Sequence, residues 1–151
     1  MKREESIDYN IKAAWHAISR MYNQQAVKHG ITTSIGFVLL NINTKEGTPA
    51  TKIAPLMGLE SRSLTRMLKN MEEKGLIYKK PDPEDKRSVR IFLTDLGIEK
   101  KAISRETVKT FNEEVIKTID HDKLEVFFDV INSVNDIIEN SDIYKNKESV
   151  H

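Results

Sequence analysis

The stretch Ser61-Arg62-Ser63-Leu64-Thr65-Arg66-Met67-Leu68-Lys69-Asn70-Met71-Glu72-Glu73-Lys74-Gly75-Leu76-Ile77-Tyr78-Lys79-Lys80 changes its period at Gly75, and that change decides the fold. Before the glycine, Leu64, Met67, Leu68 and Met71 recur at the spacing of one helix face, while Arg62, Ser63, Thr65, Arg66, Lys69 and Asn70 occupy the other. Gly75 is the left-handed stop. After it, residues 76–80 and 88–93 are short, β-branched and aromatic, and they flank the polar loop 81–87. That pattern predicts a β-hairpin with a charged tip.

Upstream, residues 51–57 read as a short helix with Ile53, Leu56 and Met57 facing inward and Gly58 ending it. Pro55 lacks an N–H and is harmless only in a first turn, so this helix is expected to be short or bent. Before it, a Thr33-Ser34 cap opens a helix carrying Phe37, Val38, Leu40 and Ile42. The chain begins with an amphipathic helix over about 6–28, with Ile7, Ile11, Ala14, Ile18 and Met21 in one stripe. Downstream, Thr94-Asp95 caps a long helix to about 118, marked by Ile98, Ala102, Val108, Phe111, Val115 and Ile119. A last helix after Asp120 presents Leu124, Phe127, Phe128, Ile131, Val134, Ile137 and Ile138, and 141–151 is polar and expected to fray. The fold class is therefore mainly α with a small β-hairpin wing (α+β). Two short helices, a tight turn and a hairpin make a winged helix-turn-helix, and the long terminal helices form a second, helical region.

Composition narrows the function. The 151 residues are the length of one ordinary domain, and the absence of cysteine excludes disulfides and thiolate chemistry. The longest apolar run, 35–40, is interrupted by Gly36 and is far below the roughly 20 residues of a membrane span. With no signal-like leader after Met1, the expected compartment is the cytoplasm. Lys plus Arg number 24 against 23 Asp plus Glu, giving a net charge of +1. The charges are unevenly placed: 10 basic and 6 acidic residues lie in 51–94, but 8 and 13 in 95–151. A basic centre suits a polyanion, because a ligand responds to the local field.

The chemistry expected of this centre is DNA recognition. A helix is about as wide as the major groove, and a flanking loop reaches the adjacent minor groove. Candidate DNA contacts are Ser61, Arg62, Ser63, Thr65, Arg66 and Lys69 on the helix and Lys86, Arg87 and Arg90 on the wing. Arg62 and Arg66 have the forked donors that read guanine. Each of these residues is also an ordinary solvating side chain, and the wing cations have Asp82, Glu84 and Asp85 as surface partners. Catalysis has little support: no phosphate-cradling glycine loop occurs, no serine sits in a nucleophile elbow, and the four histidines lack metal-ligand spacing. No catalytic residue, cofactor or metal is therefore expected. A winged helix that binds another protein is the remaining alternative, and it should expose apolar residues on helix 61–74.

The run Asp85-Lys86-Arg87-Ser88-Val89-Arg90-Ile91-Phe92-Leu93-Thr94 resembles the Asp-x-Arg, five residues, Leu-Thr signature of the MarR family of regulators. Leu64 to Leu68 and Met71 to Ile77 resemble that family's recognition helix and its exit into the wing. The likeness covers nearly the whole chain in element order, with specific motifs in 60–97. It implies a single domain over 1–151, with 33–94 as the DNA-binding region and 6–30 plus 95–140 as a helical dimerisation region. It further implies a triangular homodimer on a pseudo-palindromic double-stranded DNA, acting as a repressor released by a small-molecule effector. By the same analogy Arg87 enters the minor groove, and Asp85 orients the wing by pairing with Arg87 or Arg90. Pro55 departs from the family's unbroken helix. An effector cleft would draw on Trp15, His16, Arg20, Tyr22 and Phe37. Aromatic residues at helical spacing are more often core, and the adjacent Trp15 and His16 are expected to face different ways. The family's peroxide-sensing branch needs a reactive thiol that this chain lacks.

Overall fold

A computed structural model describes residues Met1–Lys145, so part of the stretch expected to fray lies outside the described residues. After a single 3-10 turn at Arg3–Glu5, the order is α1 (Ile7–Lys28), α2 (Thr33–Leu40), β1 (Thr48–Pro49), α3 (Ala50–Met57), α4 (Ser61–Glu73), β2 (Ile77–Pro81), β3 (Val89–Leu93), α5 (Asp95–Thr118) and α6 (His121–Asn140). Two compact units divide the chain, one covering Met1–Lys109 and one beginning at Thr110.

The core of the first unit lies where α2, α3 and α4 meet the sheet. Val38, Leu39 and Ile42 from α2 and the loop after it, Ile53 from α3, Met71 from α4 and Ile91 from β3 have no exposed surface. Each such side chain contributes about 1.5–3 kcal/mol of burial. The α2 cap falls one residue earlier than Thr33-Ser34: the Thr32 hydroxyl accepts the Ile35 N–H at 3.2 Å. In α3 the buried pair is Ile53 and Ala54, with Ala50 and Met57 packed beside them. Leu56, expected to face inward, is 67% exposed because that stripe turns the helix away from it. Pro55 sits inside this eight-residue helix on its exposed side. The backbone carbonyl it leaves without a helical donor belongs to Thr51, an exposed residue.

Gly58, at φ 62°, closes α3, with Leu59 N–H donating to Ala54 O at 3.1 Å. Three residues later α4 begins. The sheet has three strands in the order β1-β3-β2, all antiparallel, instead of a lone hairpin. β1 pairs Thr48 with Ile91 and Pro49 with Arg90, too short to be read from the sequence. β2 pairs with β3 from Ile77–Leu93 to Pro81–Val89.

The start of α5 is clamped to the exit of α4. Thr94 Oγ1 accepts the Gly97 N–H at 3.0 Å and donates to Gly75 O at 2.6 Å, and Thr94 N–H donates to Leu76 O at 3.1 Å. The buried residues of α5 are Gly97, Lys101 and Ser104, whereas Ile98 and Ala102, expected on the apolar face, are exposed. In the second unit α6 buries none of its residues, and Phe127, Phe128, Ile137 and Ile138 each expose more than half their surface.

Candidate nucleic-acid interface

Leu64, Leu68 and Met71 fix the inner face of α4, which leaves Ser61, Arg62, Ser63, Thr65, Arg66 and Lys69 all exposed. The Thr65 hydroxyl donates to Ser61 O at 2.8 Å and retains its acceptor lone pairs. Glu60 precedes the helix without forming a side-chain cap, so the first-turn N–H groups stay open to an anion. Among the described residues, none of Arg62, Arg66, Lys69, Lys86 and Arg87 forms an ion pair. These cations are exposed and open to phosphate or base edges.

The wing loop is folded by its own acids. Asp82 N–H donates to Ser88 O at 3.0 Å, closing the loop, and Asp82 Oδ1 accepts the Glu84 N–H at 3.1 Å. Asp85 Oδ1 accepts the Arg87 main-chain N–H at 3.0 Å. Lys86 and Arg87 therefore stand exposed on a tip shaped by two aspartate turns. Arg90 is placed differently from the other wing cations. Its side chain is only 17% exposed, its Nε lies 3.6 Å from Asp82 Oδ1, and its Nη1 donates to Glu46 O at 3.1 Å. The Nε separation is an ion pair, longer than a hydrogen bond. Arg90 is thus an anchor between strand and loop. The carboxylate paired with an arginine side chain is Asp82; Asp85 acts on the Arg87 backbone. No local sequence signal marks this role, because Glu46 O and Asp82 meet Arg90 only in the folded loop.

Between α1 and the start of α2, an open groove of about 420 Å³ is lined by Trp15, His16, Arg20 and Phe37 together with Thr32, Thr33 and Ser34. Trp15 and His16 both face it, because a groove this wide spans the 100° between neighbours on α1. The Trp15 and Phe37 rings are 5.9 Å apart. Tyr22 is elsewhere: it is buried, meets Phe37 edge-on at 6.0 Å, and walls a separate cavity of about 30 Å³ with Ile103, Ser104 and Thr107 of α5. Burial raises the Tyr22 pKa above its ordinary value. Thr33 lines both spaces, and its hydroxyl is buried without a hydrogen-bond partner. The sequence marked the aromatic residues of the groove but not Thr33.

A short helix, a tight turn, an exposed basic helix and a three-stranded wing define a winged helix-turn-helix protein. Residues 31–89 match the model of the MarR family. Over 105 residues the chain is 34% identical to the organic hydroperoxide resistance transcriptional regulator of Bacillus subtilis (strain 168), covering 68% of this chain and 71% of that one. It is also 34% identical over 94 residues to the HTH-type transcriptional regulator TtmR of Methylorubrum extorquens (strain PA1), covering 62% of this chain and 48% of that protein, so it spans about half of that relative. The fold is shared with the S. aureus MepR–DNA complex at a TM-score of 0.79 and 20% identity, over 85% of this chain and 96% of that one. The chain belongs to the MarR family of transcriptional regulators. Among the described residues no helix is long and apolar enough to cross a membrane.

Proposed function

We propose that the protein is a sequence-specific, double-stranded DNA-binding regulator that acts as a homodimer in the cytoplasm and works by binding, not catalysis. The observation that carries this reading is the set of exposed, unpaired cations on α4 and on the wing tip, beside a helix terminus with open N–H groups. In this reading residues 33–94 form the DNA-binding region. Arg62 and Arg66 read base edges in the major groove, and Ser61, Ser63, Thr65 and Lys69 hold phosphates or bases beside them. Lys86 and Arg87 reach the minor groove, whose narrow stretches attract arginine. Asp85 shapes the tip, and Arg90 anchors it without touching DNA. A protein-binding role is disfavoured by the outer face of α4, which exposes no large apolar residue.

Residues 6–30 and 95–140 serve dimerisation. The apolar side chains exposed on α6, and Ile7 and Ile11 exposed on α1, support this assignment. A two-fold dimer sets its recognition helices in successive major grooves, so the operator is a pseudo-palindrome with half-sites about 10 bp apart. The regulator is a repressor released by a small aromatic anion in the Trp15 groove. Its volume falls in the range of ligand sites, Arg20 supplies the charge, and Thr33 Oγ1 lacks a partner that a ligand oxygen would provide. The hydroperoxide role in one relative's name does not carry over, since this chain has no thiol to oxidise.

The test compares Arg66→Ala with Arg87→Ala on a panel of operator variants. The minor-groove variant should weaken all sequences about equally and lower the salt slope by about one, while the major-groove variant should change the base preference at its own position. Equal losses on every operator for both variants contradict this division.

A further inference from the structure

A lysine buried away from any carboxylate needs an explanation, because an ammonium loses hydration that only good hydrogen bonds replace. Lys101 of α5 is 7% exposed. Its Nζ donates to Ile42 O at 2.5 Å and to Thr44 Oγ1 at 3.1 Å. Burial, helped by the nearby charge of Arg105, lowers its pKa. Ile42 lies just past the last turn of α2, where a helix presents unbonded carbonyls and partial negative charge, so a cation is electrostatically suited to that end.

The loop gripped in this way is also bonded within itself. Asn43 Oδ1 accepts the N–H groups of Lys45 and Glu46, each at 2.9 Å. Asn43 N–H donates to Thr48 Oγ1 at 2.9 Å, and Gly47 N–H donates to Asn43 O at 3.0 Å. The loop is also pressed against the wing strand: a Cβ at Gly47, whose φ is +68°, would stand 2.6 Å from Ile91 O and 2.8 Å from the Phe92 ring. From this loop Glu46 O receives Arg90 Nη1, and Arg90 faces Asp82, the residue that closes the wing loop onto Ser88.

We propose that Lys101 is a positioning residue for the wing: by holding the α2–β1 loop, it fixes Arg90 and thereby the direction in which Lys86 and Arg87 are presented. An apolar side chain of similar length would fill the same space with less desolvation. It could not hold Ile42 O and Thr44 Oγ1 together, and the loop would lose its fixed point on α5. The consequence for DNA rests on the reading of Arg87 as a minor-groove contact.

The experiment uses the full chain with Lys101→Met and Thr44→Val, each alone and combined with Arg87→Ala. Amide exchange followed by NMR in the DNA-free protein reads the positioning claim, and operator affinity reads its consequence. In Lys101→Met the amides of 43–48 and of the 82–88 loop should exchange about 10-fold faster while those of Val38, Leu39 and Leu68 keep their protection. Operator affinity should fall about 10-fold, and this fall should vanish in the Arg87→Ala background, because both changes act through the wing. Thr44→Val removes a loop-side partner at an exposed position, so it keeps the test open if Lys101→Met does not fold, with an expected effect of about threefold. Unchanged exchange at 82–88, or an affinity loss as large without Arg87 as with it, overturns the proposal. If Arg87→Ala alone binds like wild type, the minor-groove reading fails, and the exchange at 82–88 still decides whether Lys101 sets the wing.

Discussion

Gly97→Ala sets two physical effects of opposite sign against each other. Alanine is the better helix former by about 1 kcal/mol, so propensity alone predicts a more stable protein. The packing predicts the reverse. A Cβ at this position would stand 2.0 Å from Leu76 O, 3.1 Å from Leu76 C and 3.4 Å from Leu93 Cβ. An ordinary carbon–oxygen approach is about 3.3 Å, so the first turn of α5 would have to withdraw by roughly 1.3 Å. That movement strains the bonds from Thr94 to Leu76 O at 3.1 Å and to Gly75 O at 2.6 Å. Losing each costs about 1 kcal/mol, and overpacking adds about 1–3 kcal/mol. Net of the propensity gain, the variant should be about 2–4 kcal/mol less stable. Equilibrium urea unfolding followed by circular dichroism reads this directly, and the m-value shows whether the transition remains two-state. Operator affinity should fall as well, since Gly75 and Leu76 form the exit of α4. A variant equal to wild type, or more stable by about 1 kcal/mol, would refute the close-approach argument and leave propensity as the explanation.

Three further outcomes are expected. Asp82→Ala removes a buried carboxylate together with the partner of Arg90 and should destabilise by about 1–3 kcal/mol in urea unfolding, whereas Asp85→Ala, at an exposed position, should cost below about 0.5 kcal/mol; the reverse order would restore Asp85 as the wing's main anchor. Phe127→Glu places a charge on the apolar face of α6 and should shift sedimentation from dimer to monomer, with dimer affinity reduced by at least about 100-fold; an unchanged sedimentation coefficient at micromolar concentration would put the dimer contact elsewhere. Lys101 has a folded-state pKa below its ordinary 10.5, so between those values the unfolded chain holds the proton more tightly and stability from this group rises as pH climbs toward 10.5. Lys101→Met should flatten that rise in urea melts taken across the alkaline range, and identical pH slopes in the two proteins would contradict the burial of the charge.

The parts of the fold that could be read from the residues are those whose packing is periodic and local. Leu64, Leu68 and Met71 define α4, and Gly75 ends it, because burial there follows the helical repeat. The wing strands follow from β-branched residues on either side of a proline-bearing loop. What stayed hidden is contact that depends on the absence or reversal of the usual signal. The buried face of α5 is Gly97, Lys101 and Ser104, none of them an apolar marker, so Ile98 and Ala102 gave a false stripe. Strand β1 has two residues, one of them a proline, and its pairing is with β3, some 40 positions along the chain. The exposed cations of α4 could be placed from sequence because they are the complement of the buried stripe. The anchoring of Arg90 could not, since its partners Glu46 O and Asp82 lie 44 and 8 positions away and only the folded loop brings them together. Trp15 and His16 share a groove that single-residue facing rules do not anticipate.

In the proposed function, α4 and the wing tip together form a sequence-selective DNA surface. Fluorescence anisotropy of the purified protein on its own upstream intergenic DNA, across a salt series, tests it most directly. A scrambled duplex and an Arg62→Ala/Arg66→Ala/Arg87→Ala variant serve as references. Tight, sequence-selective binding that weakens steeply with salt and is lost in the triple variant is the expected result. Binding to the upstream DNA that is indifferent to sequence and equally strong in the triple variant would contradict it.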